Sequence, residues 1–127
     1  MGKASRVKGA SGEREAAKEF NNLFPGVEAK RGIAQTRHGG KEGADLSMQP
    51  NLHIEVKRQK KVSIKAAMKQ AEDDAQGTGG TPGTVTREDG KPWYFCCRLE
   101  DLPKVVSELS SYLPGHSPLV ENGGEDA

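Results

Sequence analysis

The stretch Leu52-His53-Ile54-Glu55-Val56-Lys57-Arg58 alternates apolar and polar residues, and no other part of this chain restricts its fold as much. Successive side chains on a strand point to opposite faces. Ile54 and Val56 therefore belong to a core, while Glu55 and Lys57 stand together on the other face. Asp45, in Gly43-Ala44-Asp45-Leu46, lies ten residues before Glu55. A short strand around Ala44–Met48 and the stronger one around Leu52–Arg58 are joined by Gln49-Pro50-Asn51, the pattern of a hairpin. Pairing of the two strands would set Asp45 beside Glu55.

Around this hairpin the periodicity predicts helices. The first starts near Ser11, a candidate N-cap, and runs to about Leu23, where Pro25-Gly26 stops it. Ala16, Ala17, Phe20, Leu23 and Phe24 share one of its faces, with Glu13 in the middle of that stripe and Glu15 and Glu19 on the opposite, wet side. A weak strand pattern spans Val27–Thr36, and His38–Gly43 reads as a flexible loop. Ser63 caps a second helix to about Gln76, with Ile64, Ala67, Met68, Ala71 and Ala75 on its apolar face. Strands around Thr84–Arg87 and Trp93–Arg98 flank a Glu88-Asp89-Gly90 turn, and a last helix covers roughly Glu100–Leu113. The order predicts a small α/β domain, a mixed sheet flanked by helices, over residues 11–113. Residues 1–10 read as a flexible basic arm and 114–127 as a disordered acidic tail.

The 127 residues suffice for one domain. Their net charge of +1 conceals a division: residues 1–70 hold 15 basic and 7 acidic residues, residues 71–127 only 4 basic against 11 acidic. A basic half points to a polyanionic partner. No apolar run approaches the length of a membrane span and no secretory leader follows Met1, so a cytoplasmic protein with no membrane partner is expected. Cys96 and Cys97 are neighbours that on a strand point apart, which suits neither a disulfide nor a zinc site. His38 and His116 lack metal-ligand spacing.

Two carboxylates from adjacent strands make a hard oxygen site suited to Mg²⁺, with Mn²⁺ as a substitute. Such an ion polarises a phosphoryl oxygen and acidifies water, and Lys57 would orient that water and offset developing negative charge. Read blandly, Glu55 and Lys57 are only the wet face of a half-buried strand. The inward-facing Glu13 weighs against that reading, because a buried acid is costly without a cation or partner. The run Val56–Lys69 carries Lys57, Arg58, Lys60, Lys61, Lys65 and Lys69 without an acid, as expected of a surface that neutralises phosphates. His53 shares the face of Glu55 and reads as ordinary polar strand surface. Trp93 and Tyr94 read as core and interface rather than as base-stacking residues.

Asp45, Glu55 and Lys57 resemble the D…(D/E)-x-K signature of the PD-(D/E)xK nuclease superfamily, with Ala44 where proline is frequent. Lys8-Gly9-Ala10-Ser11-Gly12-Glu13-Arg14-Glu15 resembles the K-G-x-x-x-E-R-E opening of archaeal-type Holliday junction resolvases. The aromatic strand at Pro92-Trp93-Tyr94 looks more like phage-encoded members. The resemblance implies a restriction-endonuclease-like αβββαβ core and a metal site formed by Asp45, Glu55, Val56 and Glu13. Lys57 and Arg37 would complete the catalytic set, and Lys8, Arg14, Arg37, Arg58, Lys60, Lys61 and Gln70 would contact DNA. The activity implied is a Mg²⁺-dependent endodeoxyribonuclease acting as a homodimer on branched DNA, foremost four-way junctions. A less structure-selective phage nuclease, or a nuclease-like DNA-binding protein without turnover, remains open on these residues alone.

Overall fold

In the computed structural model, which describes residues 3–32 and 43–115, the alternating stretch is the central strand of a five-stranded mixed sheet. In chain order the elements are helix α1 (Lys3–Leu23), strands β1 (Lys30–Arg31), β2 (Leu46–Ser47) and β3 (Leu52–Gln59), helix α2 (Ile64–Ala75), strands β4 (Thr81–Glu88) and β5 (Tyr94–Cys96), and helix α3 (Leu102–Leu109). Single 3-10 turns at Leu99–Asp101 and Ser110–Tyr112 flank α3. The strands lie side by side in chain order. Neighbours are antiparallel except β3 and β4, which run parallel because α2 carries the chain back across the sheet. This is the expected α/β domain, with αβββαβ order and β5 as a further edge strand.

The two faces of the sheet differ in chemistry. Leu52, Ile54 and Val56 of β3, Leu46 of β2 and Val85 of β4 pack with Ala16, Ala17 and Phe20 of α1 and with Val105 of α3, forming the apolar core. The opposite face carries His53, Glu55, Thr84 and Thr86, all buried although polar. The parallel register sets Glu55 beside Thr84 and Lys57 beside Thr86. Helix α2 presents Ala67, Met68, Ala71 and Ala75 as its buried residues. Alanines let a helix lie close over side chains of this size. The Ser63 side chain accepts from the Ala66 amide at 3.2 Å, the N-cap that the sequence predicts.

Four expectations change. Helix α1 begins at Lys3, so residues 3–10 extend it and do not precede it as an arm. Ser11 and Gly12 lie inside that helix. Gly12 is required there because α1 runs hard against β3: a Cβ on it would sit 3.0 Å from Cβ of Arg58. Glu15, expected on the wet side, binds Arg87 at 2.8 Å and Arg58 at 3.4 Å. Those arginines are register partners on β3 and β4, and both project to the α1 face. The last helix is shortened to α3 between its 3-10 turns, with Pro103 in its first turn, where no backbone donor is needed. Finally, among the described residues the strand pattern at Val27–Thr36 yields the two residues of β1. Positions 33–36 of it, the loop with Arg37, and the tail from residue 116 lie outside the described residues.

Candidate active site

Asp45 occupies the fork where β2 and β3 begin to pair. Its amide donates to the Ile54 carbonyl at 3.0 Å, and its Oδ2 accepts the Val56 amide at 2.7 Å. The carboxylate thus accepts a backbone amide of β3 and is 6% exposed. Glu55 is 1% exposed, and its carboxyl lies within hydrogen-bonding reach of Asp45. Glu13 approaches Asp45 from α1 and is likewise within reach of it. The three acids thus form a chain with Asp45 in the middle, as the inward position of Glu13 and the hairpin required.

This crowding shows in the electrostatics. Burial, followed by the charge of Glu55, pushes the Asp45 carboxyl up to about 7, against the opposing pull of the Val56 amide and the Lys57 ammonium. Burial also raises Glu13, while Arg31 pulls it down through an Nε–Oε1 hydrogen bond of 2.7 Å. Adjacent acids in a dry site hold a proton unless a cation compensates them. Their donors are all carboxylate oxygens, and the backbone carbonyl is the one group Val56 can add. Such an all-oxygen set fits Mg²⁺.

The remaining predicted residues separate by face. Lys57 shares the acid face and is close enough to act on Asp45. Gln70 of α2 reaches down so that its Nε2 donates to Glu55 Oε1 at 3.3 Å. Lys60 and Lys61 are exposed just beyond β3, and Arg14 is exposed on α1. Arg58 lies on the opposite face of the sheet, tied to Glu15, and is not brought together with Glu55 and Lys57. Lys8 lies in α1, with its side chain outside the described residues, as is Arg37. Arg31 on β1 reaches Glu13, a contact that the weak strand pattern at Val27–Thr36 does not predict. His53, expected as polar strand surface, is instead buried, and His53, Glu55 and Asp74 offer ligand-type atoms all within 4.8 Å of one another.

The exposed lysines support a test of the basic run. Replacing Lys60 and Lys61 together by Ala should weaken DNA binding and flatten the dependence of affinity on salt by about two ions. Fluorescence anisotropy across a salt series measures this. An unchanged slope would assign these lysines to solvation.

Comparison with known proteins adds three findings. The model of a phage PDDEXK endonuclease family matches residues 4–120. No curated protein matches this chain. Among four matching chains of solved structures, Hjc, a Holliday junction resolvase from the archaeal hyperthermophile Archaeoglobus fulgidus, is 23% identical with a TM-score of 0.49, over 69% of this chain and 70% of that one.

Proposed function

From the premise that this chain belongs to the phage PDDEXK endonuclease family, we propose that it is a Mg²⁺-dependent endodeoxyribonuclease that cuts branched DNA, foremost four-way junctions, in the cytoplasm of an infected cell. The observation that carries the metal dependence is the Glu13–Asp45–Glu55 chain, in which Asp45 holds a proton to about pH 7 until a cation relieves it. Glu13, Asp45, Glu55 and the Val56 carbonyl would hold the ion. Bound there, Mg²⁺ supplies polarisation of the scissile phosphoryl group and a lowered pKa for water. Lys57, beside Asp45, orients the attacking water and offsets the charge that develops on the phosphate. Gln70 keeps the Glu55 carboxylate directed. Arg37 clamps the phosphate, and the lysines following β3 hold the backbone of the DNA.

The preference for junctions rests on the resolvase-like run Lys8–Glu15, which contains one of the acids of this site. A junction offers two symmetry-related strands, so a two-fold dimer would put one site at each. The apolar residues Ala67, Met68, Ala71 and Ala75 of α2 are buried. Tyr94 (61% exposed), Phe95 and Leu102 are exposed and, with Phe20, Phe24 and Trp93, line an apolar groove of about 700 Å³ that offers a candidate dimer surface. The test is a labelled four-way junction incubated with the protein, Mg²⁺ and an excess of linear duplex. Symmetric nicks near the branch point are expected. Equal degradation of the plain duplex would instead identify a structure-independent nuclease, and binding without cutting a DNA-binding protein.

A further inference from the structure

His53 stands two residues before Glu55 on β3 and is 2% exposed. A buried imidazole must have its nitrogens satisfied, and here both are engaged. Nε2 lies 3.2 Å from Glu55 Oε2, and Nδ1 lies 3.3 Å from Thr78 Oγ1. A carboxylate oxygen is an acceptor, so Nε2 is assigned as the donor to Glu55 Oε2. Nδ1 faces the Thr78 hydroxyl on the other side of the ring. Thr78 is itself braced: its Oγ1 lies 3.2 Å from the Ala75 carbonyl oxygen at the end of α2, and the Gly80 amide donates to it at 3.4 Å. With Gln70 donating to Oε1, each oxygen of Glu55 has its own donor.

We propose that His53, braced by Thr78, is a positioning residue that holds the Glu55 carboxylate toward Asp45 and thereby sets the affinity of the site for its divalent cation. The inference rests on Asp45 and Glu55 being cation ligands. A glutamate free to rotate must be ordered when the ion binds, whereas one already held by two donors is not. Partners of metal ligands act in this way, fixing the ligand's orientation without touching the metal. Asp74 brings a third ligand-type oxygen near His53 and Glu55. The His53 Nε2 already faces Glu55 Oε2 at 3.2 Å, so this pair is read as a brace.

The test measures Mn²⁺ binding by calorimetry without DNA, on the full chain, for the wild type, His53→Gln, His53→Asn and Asp45→Asn. The Gln amide reaches the place of Nε2, so that variant should bind Mn²⁺ within about threefold of the wild type. The Asn amide reaches only the place of Nδ1, so binding should weaken by about 10–100-fold, with metal-free melting temperatures alike in both variants. Equal affinities of the Gln and Asn variants would overturn the proposal, as would loss of a bound ion with unchanged affinity, which would make His53 a ligand. If the Asn variant does not fold, Thr78→Val should weaken binding severalfold, and unchanged affinity there would overturn the brace. Mn²⁺ binding that survives Asp45→Asn would refute the ligand reading itself, a result separate from any behaviour of the His53 variants.

Discussion

Asp45→Asn is expected to bind DNA as the wild type does and to have lost Mg²⁺-dependent cutting by about 10³-fold or more, the several kcal/mol that a correctly held ion contributes to the transition state. Binding survives because the exposed lysines beyond β3 do not depend on the acid. The same substitution should stabilise the metal-free protein at neutral pH. Asn keeps an oxygen to accept the Val56 amide, which Asp45 now receives at 2.7 Å, and it removes the acid crowded by Glu13 and Glu55. Opposite signs in activity and stability distinguish a carboxylate kept for chemistry from one kept for folding. A nicking assay with a thermal melt decides the matter: retained cutting, or a lower melting temperature at pH 8, would refute the role given to Asp45.

The second large effect is on stability against pH. In the unfolded chain Asp45 releases its proton near the ordinary 3.8, whereas the folded protein keeps it to about 7. Between those values the folded state binds the extra proton, so rising pH favours unfolding. Glu13, also raised by burial, acts in the same direction. Metal-free protein should therefore melt lower at pH 8 than at pH 5, by on the order of 10 °C. Mg²⁺ should recover much of the loss at pH 8 and little at pH 5, because it favours the ionised acids. The Asp45→Asn variant should show a flatter profile. A wild-type melting temperature that rises between pH 5 and pH 8 without metal would contradict the crowded-acid account.

Much of this site was legible because strand and helix geometry are local. A period of two put Glu55 and Lys57 on one face, and the turn at Gln49-Pro50-Asn51 brought Asp45 beside Glu55 in the middle of β3, in the register Leu46 to Ile54. The place of Glu13 within an apolar stripe sufficed to turn it inward. Arg58 shows the limit of a run read as composition: it belongs to the basic segment, yet alternation sends it to the α1 face, away from Lys57. The same alternation was available for Arg58 as for Glu55. The charge count obscured it.

His53, Arg31 and Glu15 were beyond reach of local pattern. Whether a polar face of a strand is wet depends on what covers it, and α2 covers His53 with a layer of alanines. Glu15 is satisfied by an arginine 72 positions away, and Arg31 meets Glu13 across 18. Periodicity records which residues share a face of their own element and contains nothing about which element will lie on that face. The cluster of acids could thus be read from a hairpin and one helical stripe. The ion pairs that hold α1 in place, and the buried imidazole behind Glu55, arise only when helices from both sides close over the sheet, because packing between distant segments selects those partners.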